Sequence, residues 1–524
     1  MKQKLLITLL LAISFSKINA QKLPYPIIFI HGLISDDTIW NNMKNSLTNN
    51  YNLTYGGRIN FCLNQDGLNS TSNLGADIQL YTSATFTTGD FYVINFDINN
   101  LGVLYPTGTN DVLSNQAAIT KQGFALKTAI QLVLNQTNRD KVILFGHSMG
   151  GLCAREYLQN PSNWQPDGMH HVAKLITTGT PHLGSNAIGG QIVGVDLLSD
   201  AMRDLKNTYD DSQLNSVYLF GGNELNSVMD DGSNNYYNVD VNCDGISNGD
   251  FVTGLNYKPM YTNLDFACII GTGALGLGDI AVTTDSANLN NIYPNLTTNI
   301  FTTAVLHNFL PDQLYPNMKG LDEPNEFNIA YGINFDIPYV GFITEQNPQS
   351  PYPTVDYDDY KFNVTSNSQI NLVVNNALPF PIYARIVNSA FSQVGATLTI
   401  NSGNQILTQN LSVGQYYLEI YGTPSANSYQ IPYAFGLTST TLSNEDFISN
   451  NYFSIYPNPT NSKVNIKSDN KFDEVEIFDV LGQKVLSSKI SENQEIDMSL
   501  LQSGTYLLKL KNEEVIKTTK IIKQ

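Results

Sequence analysis

Residues 142–152 read Val-Ile-Leu-Phe-Gly-His-Ser-Met-Gly-Gly-Leu, and they indicate the fold class of the N-terminal part of the chain. Its first four residues form an apolar run typical of a buried parallel strand. Met149–Leu158 predicts a helix that begins directly after it. Ser148 therefore lies on a tight strand-to-helix turn, where Gly146 and Gly150 avoid Cβ clashes. In the favoured interpretation the turn lifts a serine nucleophile above the sheet edge, and the alternative is a structural glycine-rich turn.

Apolar runs and helical patterns alternate on both sides of this stretch. The strand candidates are Pro26–Ile30, Phe91–Phe96, Val142–Phe145, Lys174–Thr177 and Phe266–Ile270. Between the second and the third of them, the apolar residues of Ala117–Leu134 recur at helical spacing. Strands that alternate with helices predict an α/β domain built on a mostly parallel sheet. We place this domain at residues 21–345.

A second loop that carries chemistry follows the first predicted strand. The residues Ile30-His31-Gly32-Leu33 lie where an acyl-transfer enzyme of this architecture needs a backbone N–H for its oxyanion hole. The other N–H comes from the residue after the serine, at the N-terminus of the helix. We therefore expect the N–H groups of Leu33 and Met149 to form the oxyanion hole. His31 is expected to shape the loop rather than to act as the base.

The number of histidines narrows the choice of the general base. The chain has six, and in this architecture the order along the chain is serine, acid, histidine. His31 and His147 precede Ser148, whereas the histidines at 170, 171 and 182 follow it too closely for a further strand that carries the acid. His307 remains, on a loop after the apolar residues 304–306. It is predicted to transfer the proton.

The acid of the triad should lie between the serine and this histidine. Asp279 occurs in Gly276–Val282, shortly after the predicted strand Phe266–Ile270. A loop beyond a strand end is where a carboxylate can accept the imidazole N–H and orient the ring. Asp285 is the second candidate, with a simple turn residue as its alternative role. Asp279 is the predicted acid.

These motifs together resemble bacterial secreted lipases and esterases of the α/β-hydrolase superfamily. The segments that carry the resemblance are His31-Gly32, Gly146–Gly150, Thr177–Ser185, Gly278–Val282 and Leu306–Asn308. The family implies hydrolysis of carboxylic esters through an acyl-enzyme. In that reaction Ser148 attacks the ester, His307 transfers the proton and Asp279 orients the histidine. The expected partner of the enzyme is thus an acyl-ester lipid or a small ester.

Other functions fit the same sequence and stay open at this point. A phospholipase, a polyester hydrolase or an acyltransferase would use the identical triad. A non-catalytic adhesin or polymer-binding protein on a hydrolase scaffold is disfavoured by the intact triad.

The formal net charge of −18 argues against a nucleic-acid binder, which needs a basic face, and weakly favours a neutral substrate. After residue 20 no apolar run is long enough for a membrane-spanning helix, so no transmembrane anchor is expected in the mature protein.

The segment from about 186 to 260 matches the hydrolases weakly and reads as an insertion. Within it, the apolar residues of Gly189–Leu205 recur along a helix. They predict either a mobile lid that covers the serine and opens on lipid, or a plain core helix.

A candidate calcium loop lies in the same insertion. Oxygen ligands at alternate positions, with a glycine after the third, are how an EF-hand-like loop wraps Ca²⁺. The candidate ligands are Asp240, Asn242, Asp244, Ile246, Asn248 and Asp250. Position 12 of the loop carries Phe251 instead of glutamate, so the loop is non-standard. The expected ion is structural, the alternative is a polar turn without metal, and no organic cofactor is expected.

The sequence pattern changes after the proline-rich stretch 347–353, which is a linker candidate. Residues 354–440 carry short β-branched or alternating runs without a helix-length pattern, which predicts a β-sandwich. The runs are Tyr360–Val364, Ile370–Val374, Ile382–Val387, Ala396–Ile400 and Tyr416–Tyr421. Asp359–Phe362 and Gly414–Leu418 resemble the bacterial pre-peptidase C-terminal domain. The implied role is an accessory domain.

Residues 451–524 predict a second, small all-β domain. Three motifs occur in order, at Phe453–Thr460, Ile477–Val485 and Leu501–Leu507. They resemble the C-terminal sorting domain of the type IX secretion system of Bacteroidetes. The resemblance implies passage through that machinery across the outer membrane, and the alternative is an ordinary terminal β-domain.

The N-terminus indicates export. Met1–Ala20 has a positive start with Lys2 and Lys4, an apolar run and a small final residue, as in a signal peptide, and a buried first helix is the alternative. We therefore expect a secreted or surface-located protein. Export would place the four cysteines, Cys153 among them, in an oxidising space. One or two disulfides, or free thiols packed as hydrophobic groups, both fit the sequence.

Overall fold

The computed structural model describes most of the chain and divides it into two compact units, Met1–Leu442 and Ser443–Gln524. The described residues are 22–64, 78–82, 85–99, 101–102, 114–185, 199–206, 216–224, 240–246, 250–273, 275–344, 355–424, 426–441, 453–468, 471–480, 482–512 and 516–524. The predicted signal peptide and the predicted linker 347–353 lie outside them.

The first unit begins with an eight-stranded sheet in the order β10-β9-β6-β5-β1-β4-β2-β3. Its strands are β1 Ile27–Ile30, β2 Tyr55–Leu63, β3 Ile78–Thr82, β4 Phe91–Asn95, β5 Val142–His147, β6 Val172–Thr178, β9 Asp265–Gly271 and β10 Thr298–Thr303, and a separate two-stranded ribbon pairs β7 Gly222–Asn223 with β8 Phe251–Val252. Strand β3 runs antiparallel to β2, whereas the other neighbours in the large sheet are parallel. This confirms the predicted α/β class and the mostly parallel sheet.

Helices cover both faces of this sheet. They are α1 Asn41–Asn49, α2 Ile119–Thr137, α3 Met149–Gln159, α4 Asp200–Leu205, α5 Val217–Phe220, α6 Thr284–Ala287 and α7 Leu314–Leu321. Along β5, Phe145 packs into the core on the α1 and α7 side, and Leu144 packs into the core on the α2 and α3 side. Burial on both faces explains why these strands read as continuous apolar runs rather than as alternating ones.

The chemistry-bearing segments follow strands that end at one edge of the sheet. The loop with His31 follows β1, and the turn at Ser148 follows β5. The segments with Asp279 and His307 follow β9 and β10. Because the carboxyl ends of parallel strands gather at the same edge, residues far apart in the chain meet there.

A β-sandwich completes the first unit. Its five-stranded sheet has the order β11-β13-β18-β15-β16, and its four-stranded sheet has the order β12-β19-β14-β17. The strands are β11 Tyr331–Gly332, β12 Pro338–Gly341, β13 Tyr357–Val364, β14 Ser368–Asn376, β15 Ile382–Asn388, β16 Gln393–Ile400, β17 Gly403–Leu411, β18 Gly414–Tyr421 and β19 Tyr433–Thr441. The predicted hydrolase domain 21–345 includes Tyr331–Gly332 and Pro338–Gly341, but these segments pair with sandwich strands as β11 and β12.

The sandwich shares a hydrophobic core with one face of the large sheet. The same buried cluster contains Phe29 and Phe145 of the sheet and Tyr360 and Phe435 of the sandwich. The hydroxyl of Tyr51 donates to the carbonyl of Tyr429 at 2.8 Å across this junction. The sandwich and this side of the α/β part therefore form one continuous hydrophobic core.

The second unit is all-β, as predicted. It consists of a three-stranded sheet in the order β20-β21-β24 and a four-stranded sheet in the order β23-β22-β25-β26. The strands are β20 Phe453–Tyr456, β21 Lys463–Ser468, β22 Glu474–Phe478, β23 Lys484–Lys489, β24 Glu495–Asp497, β25 Gly504–Lys511 and β26 Ile516–Lys523. Its core is small and contains Val464, Ile477, Leu508 and Ile521.

Cys62, Cys153 and Cys268 form no disulfide, and Cys153 is fully buried in α3 as a small apolar group. For these three residues the free-thiol alternative applies. None of the helices within the described residues is both long and apolar enough to span a membrane.

A buried carboxyl cluster lies where α7 passes into the sandwich. One carboxylate oxygen each of Asp322, Glu323 and Asp358 lies within 4.8 Å of the others, and all three residues are buried. Burial raises the pKa of the Glu323 carboxyl to about 8, and the nearby Asp356 carboxylate acts in the same direction. Lys174, which pairs with Asp265 at 2.6 Å, acts in the opposite direction.

This cluster predicts that the fold loses stability as the pH rises. The folded state holds a proton on Glu323 between the ordinary pKa of 4.5 and about 8, whereas the unfolded chain releases it. In EDTA, which removes divalent cations, we expect the Tm of the full chain to fall by about 3 °C or more between pH 5.5 and pH 8.5. Glu323→Gln should reduce the dependence of Tm on pH. The control Glu492→Gln, which changes an exposed carboxyl, should leave this dependence unchanged. A Tm that rises over this pH range in both the wild type and Glu323→Gln would contradict the prediction.

Candidate active site

Ser148 has a strained backbone at the end of β5. Its φ is 54° and its ψ is −128°, a backbone conformation that residues other than glycine rarely adopt. The N–H of Ser148 donates to the carbonyl of Thr178 at 2.9 Å, and α3 begins at the next residue. A Cβ on Gly150 would lie 2.5 Å from the carbonyl oxygens of both Ile30 and His31. The predicted strand–turn–helix unit is therefore present, and Gly150 permits its close packing against the end of β1.

The loop after β1 lies directly against the serine. A Cβ on Gly32 would be 2.6 Å from the Cβ of Ser148 and 3.1 Å from its Oγ. The buried His31 accepts the N–H of Phe96 on Nε2 at 2.9 Å, so its Nδ1 carries the proton and donates to the carbonyl of Gly32 at 2.8 Å. These two bonds hold the loop, in agreement with the structural role expected for His31.

The two backbone groups expected in the oxyanion hole lie on the segments that flank the serine. Leu33 follows Gly32 and packs against the cluster that contains the buried Met149. Neither the N–H of Leu33 nor that of Met149 donates a hydrogen bond to another described residue. Two free donors beside Ser148, one of them at a helix N-terminus, are suited to stabilise an oxyanion.

His307 and Asp279 form a hydrogen-bonded pair at the same edge of the sheet. Nδ1 of His307 lies 2.8 Å from Oδ2 of Asp279, and the N–H of His307 donates to the carbonyl of Asp279 at 3.1 Å. The other carboxylate oxygen of Asp279 accepts the N–H groups of Val282 at 2.7 Å and Ala281 at 3.1 Å. Asp279 is buried, so the histidine contacts an oriented carboxylate.

The other candidates for acid and base lie elsewhere. Asp285 is exposed in the first turn of α6. The buried His182 faces Arg155 on Nδ1 and Thr177 on Nε2, each at 3.3 Å, and burial lowers the pKa of its ring well below the ordinary value. His171 pairs with Asp167 at 2.8 Å. The structure therefore brings Asp279 and His307 together, whereas Asp285, His182 and His171 have other surroundings.

Sequence reasoning missed the contact of His147 with the predicted base. Nε2 of His147 donates to the carbonyl of His307 at 3.1 Å, and the two rings lie 4.9 Å apart between centroids. Burial lowers the pKa of His147 well below its ordinary value, and the neighbouring His307 acts in the same direction. A neutral ring at 147 thus ties the histidine loop to the turn that carries Ser148. Its place directly before the serine was the signal that could have indicated this role.

Gly179 is a second residue with a role that sequence reasoning did not assign. Its φ is +59°, and a Cβ there would lie 3.1 Å from both Oδ2 of Asp279 and Nδ1 of His307. The segment 177–185 therefore passes directly beside the pair. Only the family resemblance of this segment pointed to the site.

The described part of the proposed lid is a buried helix. Helix α4, Asp200–Leu205, packs with Leu152 and Met149. The carboxylate of Asp204 accepts the N–H of Ile119 at 2.9 Å and pairs with Arg203 at 2.9 Å. For this part the core-helix alternative applies, and residues 189–198 lie outside the described residues.

The acidic loop in the insertion forms a tight turn. Asp240 accepts the N–H of Asp244 at 3.1 Å on one oxygen and the N–H of Gly245 at 2.8 Å on the other. The amide of Asn242 donates to Asp244 at 3.1 Å and to Asp250 at 3.3 Å. The N–H of Ile246 also donates to Asp244, whereas Asn248 lies outside the described residues.

Glu224 adds a carboxylate that the loop motif did not include. It is fully buried, and its Oε1 accepts the N–H of Val241 at 2.7 Å. Its N–H donates to the carbonyl of Asp250 at 3.1 Å, next to the pairing of β7 with β8. Its Oε2 has no hydrogen-bond partner among the described residues. Burial raises the pKa of this carboxyl, and the negative charges of Asp240 and Asp250 add to the rise.

Comparison with known protein families assigns two parts of the chain. Residues 24–236 match the PGAP1-like alpha/beta domain, and residues 454–524 match the secretion system C-terminal sorting domain. The first unit therefore contains an α/β-hydrolase fold, and residues 454–524 in the second unit are similar to C-terminal sorting domains. A comparison with curated proteins gave no match.

The solved structures to which the chain is similar are distant in sequence. A gene product of Listeria innocua is 15% identical, with a TM-score of 0.32, and the match covers 55% of this chain and 89% of that protein. The lipase BlEst2 of Bacillus licheniformis is 16% identical, with a TM-score of 0.31 and coverage of 58% and 93%. The pre-peptidase C-terminal domain of the Bacillus anthracis collagenase is 20% identical, with a TM-score of 0.18 and coverage of 22% and 99%.

The strained turn predicts that two substitutions at the serine differ in thermal stability. Ser148→Gly removes the side chain that makes a positive φ costly, so its Tm should exceed that of Ser148→Ala by about 2 °C or more. Thermal unfolding of the two purified variants measures the difference. Ser148→Ala is the matched control, because it removes the same hydroxyl and keeps the Cβ. Equal Tm values for both variants would contradict strain at this position.

Proposed function

We propose that the protein is a secreted serine carboxylester hydrolase, a lipase or esterase, that uses Ser148, His307 and Asp279. The observation that carries the proposal is the hydrogen-bonded pair of His307 and Asp279 at the sheet edge where Ser148 stands on a strained turn. Strain of this kind is kept where it has a function. The carboxylate, the imidazole and the hydroxyl are the groups that acyl transfer needs.

The reaction follows from these groups in two steps. Oγ of Ser148 attacks the ester carbonyl while His307 takes the proton of the hydroxyl. Asp279 stabilises the imidazolium that forms. The tetrahedral oxyanion accepts hydrogen bonds from the backbone N–H groups of Leu33 and Met149. It collapses to an acyl-enzyme as His307 returns the proton to the departing alcohol. Water then attacks the acyl-enzyme by the same route, releases the acid and restores Ser148.

Two buried histidines, His147 and His31, hold the proposed catalytic groups in position. His147 stays neutral and holds the carbonyl of His307, so it does not compete as a base. His31 holds the loop that ends in Leu33. Both are positioning residues, because they act through the loop and the histidine rather than on the substrate.

Related reactions use the same three groups and differ in the alcohol or the acyl acceptor. A phospholipase, a polyester hydrolase and an acyltransferase remain candidates within this class. An adhesin on a hydrolase scaffold would have no need for an oriented His–Asp pair beside a strained serine. Hydrolysis of p-nitrophenyl esters of short and long chain length therefore tests the class first.

The acid offers a matched pair of variants for this test. Asp279→Asn should lower kcat/KM on p-nitrophenyl esters by about 10³-fold or more, because the imidazole loses its orienting carboxylate. Asp285→Asn changes an exposed carboxyl six residues further along and should keep the wild-type rate within about twofold. Ser148→Ala should fall to the background rate. Wild-type activity in Ser148→Ala, or equal losses in the two Asn variants, would refute the triad.

The location of the enzyme is a second part of the proposal. Met1–Ala20 would direct export, and the sorting domain at 454–524 would direct the chain to the type IX secretion machinery. The acidic excess of the chain lies outside the tail, where ten lysines balance ten acidic residues. A strongly acidic catalytic part suits solubility outside the cell.

We further propose that the loop of Asp240, Asn242, Asp244, Ile246, Asn248 and Asp250 binds a structural Ca²⁺. Glu224 supplies the acidic ligand that position 12 of the loop lacks. Its buried Oε2 has no described partner, and its charge neighbours are Asp240 and Asp250. A hard cation with several oxygen ligands would offset this concentration of negative charge. The ion would fasten the insertion and take no part in the acyl transfer.

Calcium should therefore stabilise the chelator-stripped protein. A saturating concentration is expected to raise the Tm by about 3 °C or more, because the ion binds the folded loop better than the unfolded chain. Glu224→Gln and Asp244→Asn should each weaken binding in isothermal titration calorimetry by about tenfold. Asp285→Asn serves as the control with unchanged affinity. No heat of binding and no shift in Tm for the wild type would refute the site.

A further inference from the structure

Five large apolar side chains stand exposed on the two loops that carry the acid and the base. On the acid loop the exposed fractions are 85% for Leu275, 74% for Leu277 and 76% for Ile280. On the histidine loop they are 41% for Leu306 and 55% for Phe309. Single exposed apolar residues are ordinary, but a group of five around one site is not. We call these five residues the apolar rim.

The two loops that carry the rim are joined and internally bonded. The N–H of His307 donates to the carbonyl of Asp279 at 3.1 Å, which places Leu306 and Ile280 on adjacent segments. Within the acid loop, the N–H of Thr284 donates to the carbonyl of Leu277 at 3.3 Å. Backbone bonds therefore hold the rim residues outward from a fixed framework.

Ile280 is exposed in a backbone conformation that is unfavourable for its side chain. Its φ is 82°, in the left-handed region that a β-branched side chain rarely adopts. The carboxylate of Asp279 accepts the N–H groups of Ala281 and Val282, and Ile280 lies at the corner of the turn so formed. Asparagine or glycine would fit this corner better. An apolar side chain held there at a steric cost, and exposed to water, points to a role in binding.

The charge of the rim indicates which surface it fits. In the segments 275–280 and 306–309 the ionisable side chains are Asp279 and His307, and these bind each other. The rim thus presents no cation to an anionic head group. Ser148 lies at the same edge of the sheet as these two loops.

We propose that the apolar rim binds the surface of aggregated, uncharged ester lipid, so that the natural substrate is a water-insoluble neutral lipid. This inference rests on the proposed ester hydrolase function, which it narrows to one substrate class. Apolar side chains that leave water for the lipid supply the attraction.

Flotation with lipid droplets tests the rim without depending on catalysis. Full-length Ser148→Ala protein is mixed with sonicated trioleoylglycerol droplets, and the bound fraction is measured after centrifugation. Leu275→Ser combined with Leu277→Ser should lower the partition coefficient by about tenfold. The control combines Phe391→Ser with Val413→Ser, two sandwich residues with 58% and 63% exposure. The control protein should float like its parent.

Each outcome decides a separate point. If the parent does not float, or if the rim and control variants float equally, the rim proposal fails. Stronger binding to phosphatidylglycerol vesicles than to the droplets would also overturn it, since the proposal requires a neutral surface. If flotation depends on the rim but the wild type hydrolyses neither soluble p-nitrophenyl acetate nor the droplets, the proposed function fails while the lipid-binding surface stands.

Ile280→Asn separates a binding role from a structural one. It should raise the Tm by about 1 °C or more, because asparagine tolerates the positive φ. It should at the same time lower flotation and reduce the ratio of the droplet rate to the p-nitrophenyl acetate rate by about threefold or more. A purely structural Ile280 would lower the Tm when replaced. A higher Tm with unchanged flotation would remove Ile280 from the rim.

Discussion

The left-handed backbone at Ser148 is the constraint on which the arrangement of the site depends. The residue joins a buried strand to a buried helix with a φ of 54°, so its neighbours must approach closely. Gly32 and Gly150 have no Cβ where one would lie 2.6 Å or less from other atoms. The carbonyl of Thr178 then accepts the N–H of Ser148. Backbone packing thereby brings two segments to the serine turn, the loop after β1 and the end of β6.

The hydrophobic core extends this constraint to the histidine loop. Leu310, three residues after His307, is fully buried in the core shared by the large sheet and the sandwich. The amide of Asn317 in α7 donates to the carbonyl of Leu310 at 3.0 Å. The residue that follows the histidine loop is therefore fixed in this core. The sandwich is part of one folded body with the hydrolase, although the sequence suggested a separate accessory domain.

The sequence predicted the features whose cause is local. Central strands such as β5 are buried on both faces and read as apolar runs, and the turn at Ser148 has a compact glycine motif. Strand β10, Thr298–Thr303, escaped notice because it lies at the sheet edge and contains three threonines and one asparagine. Likewise β11 and β12 are too short to show a period. Asp279 and His307, which form a hydrogen-bonded pair, were predicted as acid and base from chain order, which the fold class restricts.

Features that depend on distant contacts could not be predicted from the sequence. Glu224 meets the acidic loop because β7 pairs with β8, and nothing in its own neighbourhood marks it as part of that loop. The bond from His147 to the carbonyl of His307 joins residues 160 positions apart. The buried carboxyls of Glu323 and Asp358 come from either side of the predicted domain boundary. Each of these contacts follows from the tertiary arrangement rather than from spacing.

Backbone strain gives an independent indication of where function lies. Among the described residues, ten other than glycine have a positive φ, and three of them are Asn or Asp, which tolerate it. Two are isoleucines, Ile34 and Ile280, for which the conformation is least favourable. Ile34 follows Leu33, Ile280 follows Asp279, and Ser148 is a further member of the ten. Local preference and structure thus conflict at the proposed nucleophile and beside the proposed oxyanion-hole and acid positions, as expected where function rather than stability has selected the residue.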